Sequence, residues 1–257
     1  MSRRGRLGLF AVAGVGAAAV LVVGLAGLPA FGDYHAAYGL IVNGVGLSER
    51  HATDLVTAVN FDYRAFDTLG EEFLLFGSAV GVAVLLRPTR GERQPPRAAA
   101  ADERRFAGAS PALRALSIGL ISPLIVLGAY IVTHGQLTPG GGFQGGVILA
   151  TAPLMAFLAG RVLAFKMIAT EHLVEAGEAF GAAGYALIGL GGLVFSGVFF
   201  HNFLPMGLAG HLLSGGTMPL SSIAVGLEVA GAFLLVWTEL LDQAMLHGPG
   251  RSSGGGS

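Results

Sequence analysis

Cysteine is absent from this 257-residue chain, and charge is scarce. Without thiols there is no disulfide framework, no thiolate metal site and no cysteine-based redox centre. Charged residues make up only 12% of the sequence, where a soluble domain carries about 25%. The net charge of −1 gives no overall attraction to nucleic acid. What the chain has in their place is apolar bulk, 53% hydrophobic residues and 42 glycines, with a mean hydropathy of +0.68. These values define an all-α, polytopic membrane protein, because a helix is the only open-chain element that satisfies its own backbone in lipid.

A membrane crossing takes about 20 apolar residues. Six stretches meet that length, roughly Leu7 to Leu28, Leu69 to Leu86, Ala115 to Thr133, Phe143 to Phe165, Phe180 to Phe200 and Ser222 to Leu241. Arg3, Arg4 and Arg6 precede the first span, seven arginines from Arg87 to Arg114 follow the second, Arg161 and Lys166 mark a third basic turn where the fourth ends, and Arg251 is in the tail. Six alternating spans put these 13 of the 15 Lys and Arg residues on one side, which is expected to be cytoplasmic, with both termini inside. The Ser2-Arg3-Arg4 start could open a cleaved export signal, but its apolar run is longer than the usual 7–15 residues and five more spans follow. It is expected to be retained.

Composition divides the chain into a two-span module over residues 1–86, a basic cytoplasmic linker over 87–114, a four-span module over 115–245 and a flexible Gly/Ser tail over 246–257. No internal repeat joins the halves, whereas carriers that work alone commonly contain repeats. An accessory subunit is therefore expected rather than a self-sufficient carrier. The arginine-rich linker is accounted for by topology, so no nucleic-acid role is assigned to it.

Two runs concentrate polar chemistry. In His134-Gly-Gln-Leu-Thr-Pro-Gly-Gly-Gly-Phe-Gln-Gly-Gly146, the residues Pro139, Gly140, Gly141 and Gly142 force a non-helical turn at the membrane surface, and Phe143, Gly145 and Gly146 open the next span. The turn lacks the Lys-Ser/Thr of a phosphate loop. His134 is a candidate proton-handling group, histidine being the side chain suited to proton transfer, or else a hydrogen-bonded interfacial histidine. In Asn60-Phe-Asp-Tyr-Arg-Ala-Phe-Asp-Thr-Leu-Gly-Glu71, the residues Asp62, Arg64, Asp67 and Glu71 precede the second span, and Thr68-x-x-Glu71 reads as a capping box opening it. Residues Leu55, Val56, Val59 and Phe61 suit a short amphipathic helix at the membrane surface.

The first run resembles the signature of the B subunit of Mrp-type multisubunit cation/proton antiporters, a family with relatives in membrane-bound hydrogenase and sulfane-reductase complexes. The second resembles the E-like segment at the C-terminal end of the large A subunit of the same antiporters, here fused to the B-type module. The resemblance implies a bacterial inner-membrane subunit of a hetero-oligomer in which large pump-like partners carry the main proton path. It implies Na+ and H+ as the transported ions and support of ion translocation by the Pro139 turn.

Within the spans the sharpest residue is Glu228, several residues inside the last apolar run. An unpaired carboxylate there costs several kcal/mol, so it is neutral, hydrogen-bonded or facing a polar cavity. Ala224, Gly231 and Ala232 share its face and allow a second helix to approach. Glu171, Glu175 and Glu178 recur at helical spacing as the fifth span begins, and Glu178 is the one expected to enter the membrane. The ion-path candidates are Glu228, His134, Asp62, Arg64, Asp67, Glu71 and Glu178. No metal site, cofactor or catalytic residue is expected. A membrane-arm subunit of a redox-driven complex and a purely structural clamp are the alternative readings.

Overall fold

The computed structural model describes residues 3–28, 37–86, 110–160 and 162–247. Arg161, most of the basic linker and the tail from residue 248 lie outside the described residues. The chain forms two units, Met1–Ile41 and Val42–Ser257. In the first, α1 (Arg3–Ala26) is apolar from Leu7 onward and exposes Leu, Val and Phe side chains all round, and α2 (Ala37–Arg50) begins there and runs into the second unit.

The second unit holds the rest. Asp54 caps α3 (Leu55–Ala58) by accepting from the Val56 amide at 3.1 Å. A π turn (Val59–Tyr63) follows and leads at once into α4 (Ala65–Leu86). Ser110 caps α5 (Pro111–Thr133), with Pro111 in the first turn where its missing N–H costs nothing. Then come α6 (Gly142–Leu158), the short α7 (Val162–Ile168), α8 (Glu171–Ser196) and α9 (Met218–His247).

Among the described residues five helices are long and apolar enough to cross a membrane, with spans Leu7–Ala26, Ala65–Leu86, Pro111–Thr133, His172–Ser196 and Met218–Gln243, while Gly142–Leu158 is shorter. The expected fourth span to Phe165 ends early: the chain turns at Ala159 and at Gly160, whose φ of +78° breaks the helix, and Phe165 belongs to α7. The last span begins at Met218 rather than Ser222. The capping box is also corrected. Helix α4 opens at Ala65, so Thr68 sits inside it and its hydroxyl donates instead to the Asn60 carbonyl at 2.9 Å. The segment from Leu55 does not lie along a surface with all its apolar residues outward, because Ala58 and Phe61 are buried against Tyr185, Phe200 and Met218.

Helix α9 is the axis of this unit, packing against α4, α5, α6 and α8, while α5 packs on α6. Glycine makes the close approaches possible. A Cβ on Gly146 would meet Val229 Cβ at 2.8 Å, and one on Gly181 would meet Glu228 Cβ at 2.6 Å. Such seams replace the hydrophobic driving force that is missing between helices in lipid. On the side of the basic residues, Lys166 pairs with Asp242 at 2.9 Å, and Gln243 donates to the Leu86 carbonyl at 2.6 Å.

Candidate functional site

Three buried carboxyl groups meet where α4, α8 and α9 pack together. Glu72 and Glu178 are 2% exposed and Glu228 is fully buried. The Glu72 and Glu228 carboxyls stand side by side, and Glu178 lies within the field of Glu228. Both oxygens of Glu72 and of Glu228, and one of Glu178, have no hydrogen-bond partner of good geometry among the described residues. Neither α4 nor α6 carries a basic residue, and those of α8 and α9 are His172 and His247 near the helix ends. Three negative charges cannot coexist in such a place without compensation, since each unpaired buried carboxylate costs several kcal/mol.

The sequence dictates this convergence through helical phase and small residues. Glu178 and Gly181 fall on neighbouring turns of α8, and Glu228 and Gly231 on neighbouring turns of α9. A Cβ on Gly181 would reach Ala224 O at 2.7 Å, and one on Gly231 would reach the Glu178 amide nitrogen at 2.6 Å. Each glutamate therefore lies opposite the other helix's glycine. The face expected of Ala224, Gly231 and Ala232 is the one that receives α8. Tyr185, two turns beyond Glu178, ties α8 to α4 by donating to the Ala65 carbonyl at 2.9 Å.

The other candidates separate into groups. Asp62 is held between Arg50 Nε at 2.7 Å and the Asn202 amide, which donates at 2.8 Å. Asn202 also accepts from the Thr217 amide at 2.9 Å, locking the loop before α9 onto the π turn. Tyr63 donates to Glu49 at 2.9 Å beneath the Arg50 guanidinium. Partial burial, followed by that bond to Glu49, pushes its hydroxyl up to about 12. Arg64 pairs with Asp67 on an exposed surface, and Glu71 is exposed one residue before buried Glu72.

His134 ends α5, stacked on Tyr130 with ring centroids 4.1 Å apart and its Nδ1 3.1 Å from the Tyr130 carbonyl. Its interactions are with its own helix end. In the Pro139 turn, Gly140 and Gly141 adopt φ of +142° and +133°, conformations that side chains rarely take. Gly142 and Gly146 face α9, Gly145 faces Val132 on α5, and Phe143 and Pro139 are exposed. The motif glycines make a packing seam. Gln136 is buried beside it, its side-chain amide donating to the Leu212 carbonyl at 2.6 Å while its backbone carbonyl accepts from the Thr53 and Asp54 amides.

Helices of this length and apolarity around ionisable side chains define a multi-pass membrane protein. Residues 112–235 match a domain described as related to the MnhB subunit of Na+/H+ antiporter. An uncharacterized protein of Methanocaldococcus jannaschii is 31% identical over 222 residues, covering 76% of this chain and 81% of that one. The chain belongs to this MnhB-related family.

Among solved structures, a chain of the membrane-bound sulfane sulfur reductase, an archaeal respiratory membrane complex, superposes with a TM-score of 0.67 at 30% identity, covering 93% of this chain and 99% of that chain. The Mrp complex from Dietzia sp. shares the fold, with a TM-score of 0.64 at 23% identity; the match covers 98% of this chain and 27% of that much longer one. The same arrangement thus occurs as a separate chain and within a larger polypeptide.

Proposed function

We propose that the protein is a membrane subunit of a multisubunit cation/proton antiporter, exchanging Na+ for H+, and that it is a transporter component rather than an enzyme. The observation that carries this reading is the match of residues 112–235 to the MnhB-related domain. Large pump-like partners move most of the protons, and this chain supplies a rigid interface and polar groups along an ion path. Its basic face is cytoplasmic, with both termini inside, in a bacterial cell membrane. Residues 1–86 are an E-like module joined to the B-type module through the basic linker. Their appearance within a single polypeptide is supported by the nearly full-length match to one chain of the sulfane sulfur reductase.

Glu228 and Glu178, joined by Glu72, are the ion-path residues this reading favours, because they are buried, lie near one another and carry oxygens without a hydrogen-bond partner of good geometry among the described residues. Asp62, Arg64, Asp67, Glu71 and His134 act at the opposite face, in holding the loops and receiving ions. A second reading, a subunit of a redox-driven ion-pumping arm, is favoured by the higher identity and complete coverage of the reductase chain. Mild-detergent purification of the tagged chain from its own membrane, followed by mass spectrometry of the stoichiometric partners, separates the two. Large pump-like subunits without redox proteins are expected. Iron–sulfur or nickel subunits in stoichiometric amounts would move the chain to the redox-driven class, and recovery of the chain alone would defeat both.

A further inference from the structure

Two cavities flank the glutamates. One, of about 370 Å3, lies among α4, α8 and α9 and is lined by Glu175, Glu178 and Glu239 together with apolar residues such as Val80 and Leu235. It is on the side of the Lys166–Asp242 pair, since Glu239 is one helical turn before Asp242. The second, of about 380 Å3, is at the other end of α4, where Arg50, Asp62 and Ala65 contribute to its wall. Each is large enough for several waters.

Between the cavities the polar groups form a line. Glu178 lines the first cavity and is buried beside Glu228, which stands against Glu72. One turn further along α4 is the buried hydroxyl of Thr68, donating to the Asn60 carbonyl. Beside it the Tyr185 hydroxyl donates to the carbonyl of Ala65, a residue of the second cavity's wall. At 1.5 Å per residue, Glu72 is about 10 Å along α4 from Ala65 and Glu178 about 10 Å along α8 from Glu171. Glu228 and Glu72 therefore occupy the depth that neither cavity reaches, and Glu178 stands at the edge of the first.

We propose that this line is a proton-conducting path through the chain, entered from the acid-lined cavity at Glu178 and continued by Glu228 and Glu72 toward the Tyr185 hydroxyl and the second cavity. This deepens the function proposed above by naming the ion, the entrance and the order of groups. With Glu72 ionised after releasing its proton toward the second cavity, Glu228 passes its proton to Glu72, Glu178 replaces the proton on Glu228, and cavity water reprotonates Glu178. One proton enters for each that leaves. Proton transfer needs only adjacent carboxyls and water. Binding of a metal cation needs converging ligands, and no group of three His, Asp or Glu side chains among the described residues is arranged to hold one. The titratable groups facing Glu228 from the packed helices are Glu72 on α4 and Glu178 on α8, with Glu175 and Glu239 in the cavity behind; α6 contributes none.

The test uses the intact complex in proteoliposomes and a hydrophobic carbodiimide, which modifies protonated carboxyls, with peptide mapping of the three glutamates. Modification at Glu178 or Glu228 is expected, falling as pH is raised and unchanged when NaCl replaces choline chloride. Protection by Na+ but not choline would overturn the proton assignment in favour of a cation site, and absence of modification in all three glutamates, when the denatured protein is modified, would overturn the path. Glu228→Gln and Glu178→Gln keep side-chain volume and are expected to assemble normally while proton flux falls by about a hundredfold. Normal flux in assembled Glu228→Gln with Na+/H+ exchange intact would remove the path and leave the antiporter reading standing. Carbodiimide modification with the expected pH dependence in a complex that shows no exchange would do the reverse.

Discussion

Gly181→Ala tests the closeness of α8 to α9 on which the buried acids depend. The added methyl would sit 2.6 Å from Glu228 Cβ and 2.7 Å from Ala224 O. Carbon atoms settle at about 3.5 Å or more, so the helices must part by about 0.9 Å. Alanine gains about 1 kcal/mol over glycine in helix propensity, while overpacking costs about 1–3 kcal/mol. The obstructing atoms belong to a neighbouring backbone and a Cβ, neither of which can swing aside, so the cost falls toward the upper end and the net loss is about 1–2 kcal/mol. Gly184→Ala is the internal comparison, because its methyl would meet Ala224 Cβ at an ordinary 3.5 Å, leaving the propensity gain unopposed. Thermal unfolding of the purified complex, followed by tryptophan fluorescence, should rank Gly184→Ala at or above the natural protein and Gly181→Ala below it. Equal stability of the two variants, with transport intact in both, would refute the close-seam reasoning.

Asp62→Asn removes the charge that pairs with Arg50 and accepts from Asn202. A loss of about 2 kcal/mol is expected, read as faster protease cleavage in the loop between α8 and α9, and unchanged cleavage would count against its role as a tether. The Tyr63 hydroxyl, pushed up to about 12, is favoured neutral in the folded chain. Its contribution is fully present below the ordinary tyrosine value near 10 and is lost as pH rises through 12. The stability difference between the natural protein and Tyr63→Phe should therefore shrink across pH 10–12, and a difference constant over that window would contradict the Glu49 pairing.

Most helices were readable from hydropathy because a span must be long and continuously apolar. The misplacements have local causes. Apolarity continues through Gly160, so composition does not show the break that its positive φ makes. Thr68 and Glu71 have capping-box spacing, yet the π turn delivers the chain into helix at Ala65 rather than Leu69, and Thr68 finds the Asn60 carbonyl instead. Glu228 and Glu178 stood out by their depth in apolar runs. Glu72 did not, since it follows Glu71 at the start of a span and both look solvated. Adjacent helical residues point about 100° apart, and only the packing of α4 against α9 decides that Glu71 faces out and Glu72 in. Asn202 was equally hidden, because its partners Asp62 and Thr217 are 140 and 15 positions away.

The distribution of the three buried acids also bears on how the chain is made. Each is on a different helix, and each of these helices keeps an 18-residue stretch of mean hydropathy 1.8, 1.6 or 1.9. During synthesis a helix enters the bilayer before its later neighbours exist, and a central carboxylate penalises entry by about 2.5–3.5 kcal/mol. With one deeply placed acid per helix, each segment can be offset by its own apolar residues. Glu72 must then wait through the insertion of α5, α6 and α8 before α9 arrives with Glu228. Until that moment the nascent chain displays an ionisable group inside the bilayer, a mark by which unfinished copies can be told from finished ones.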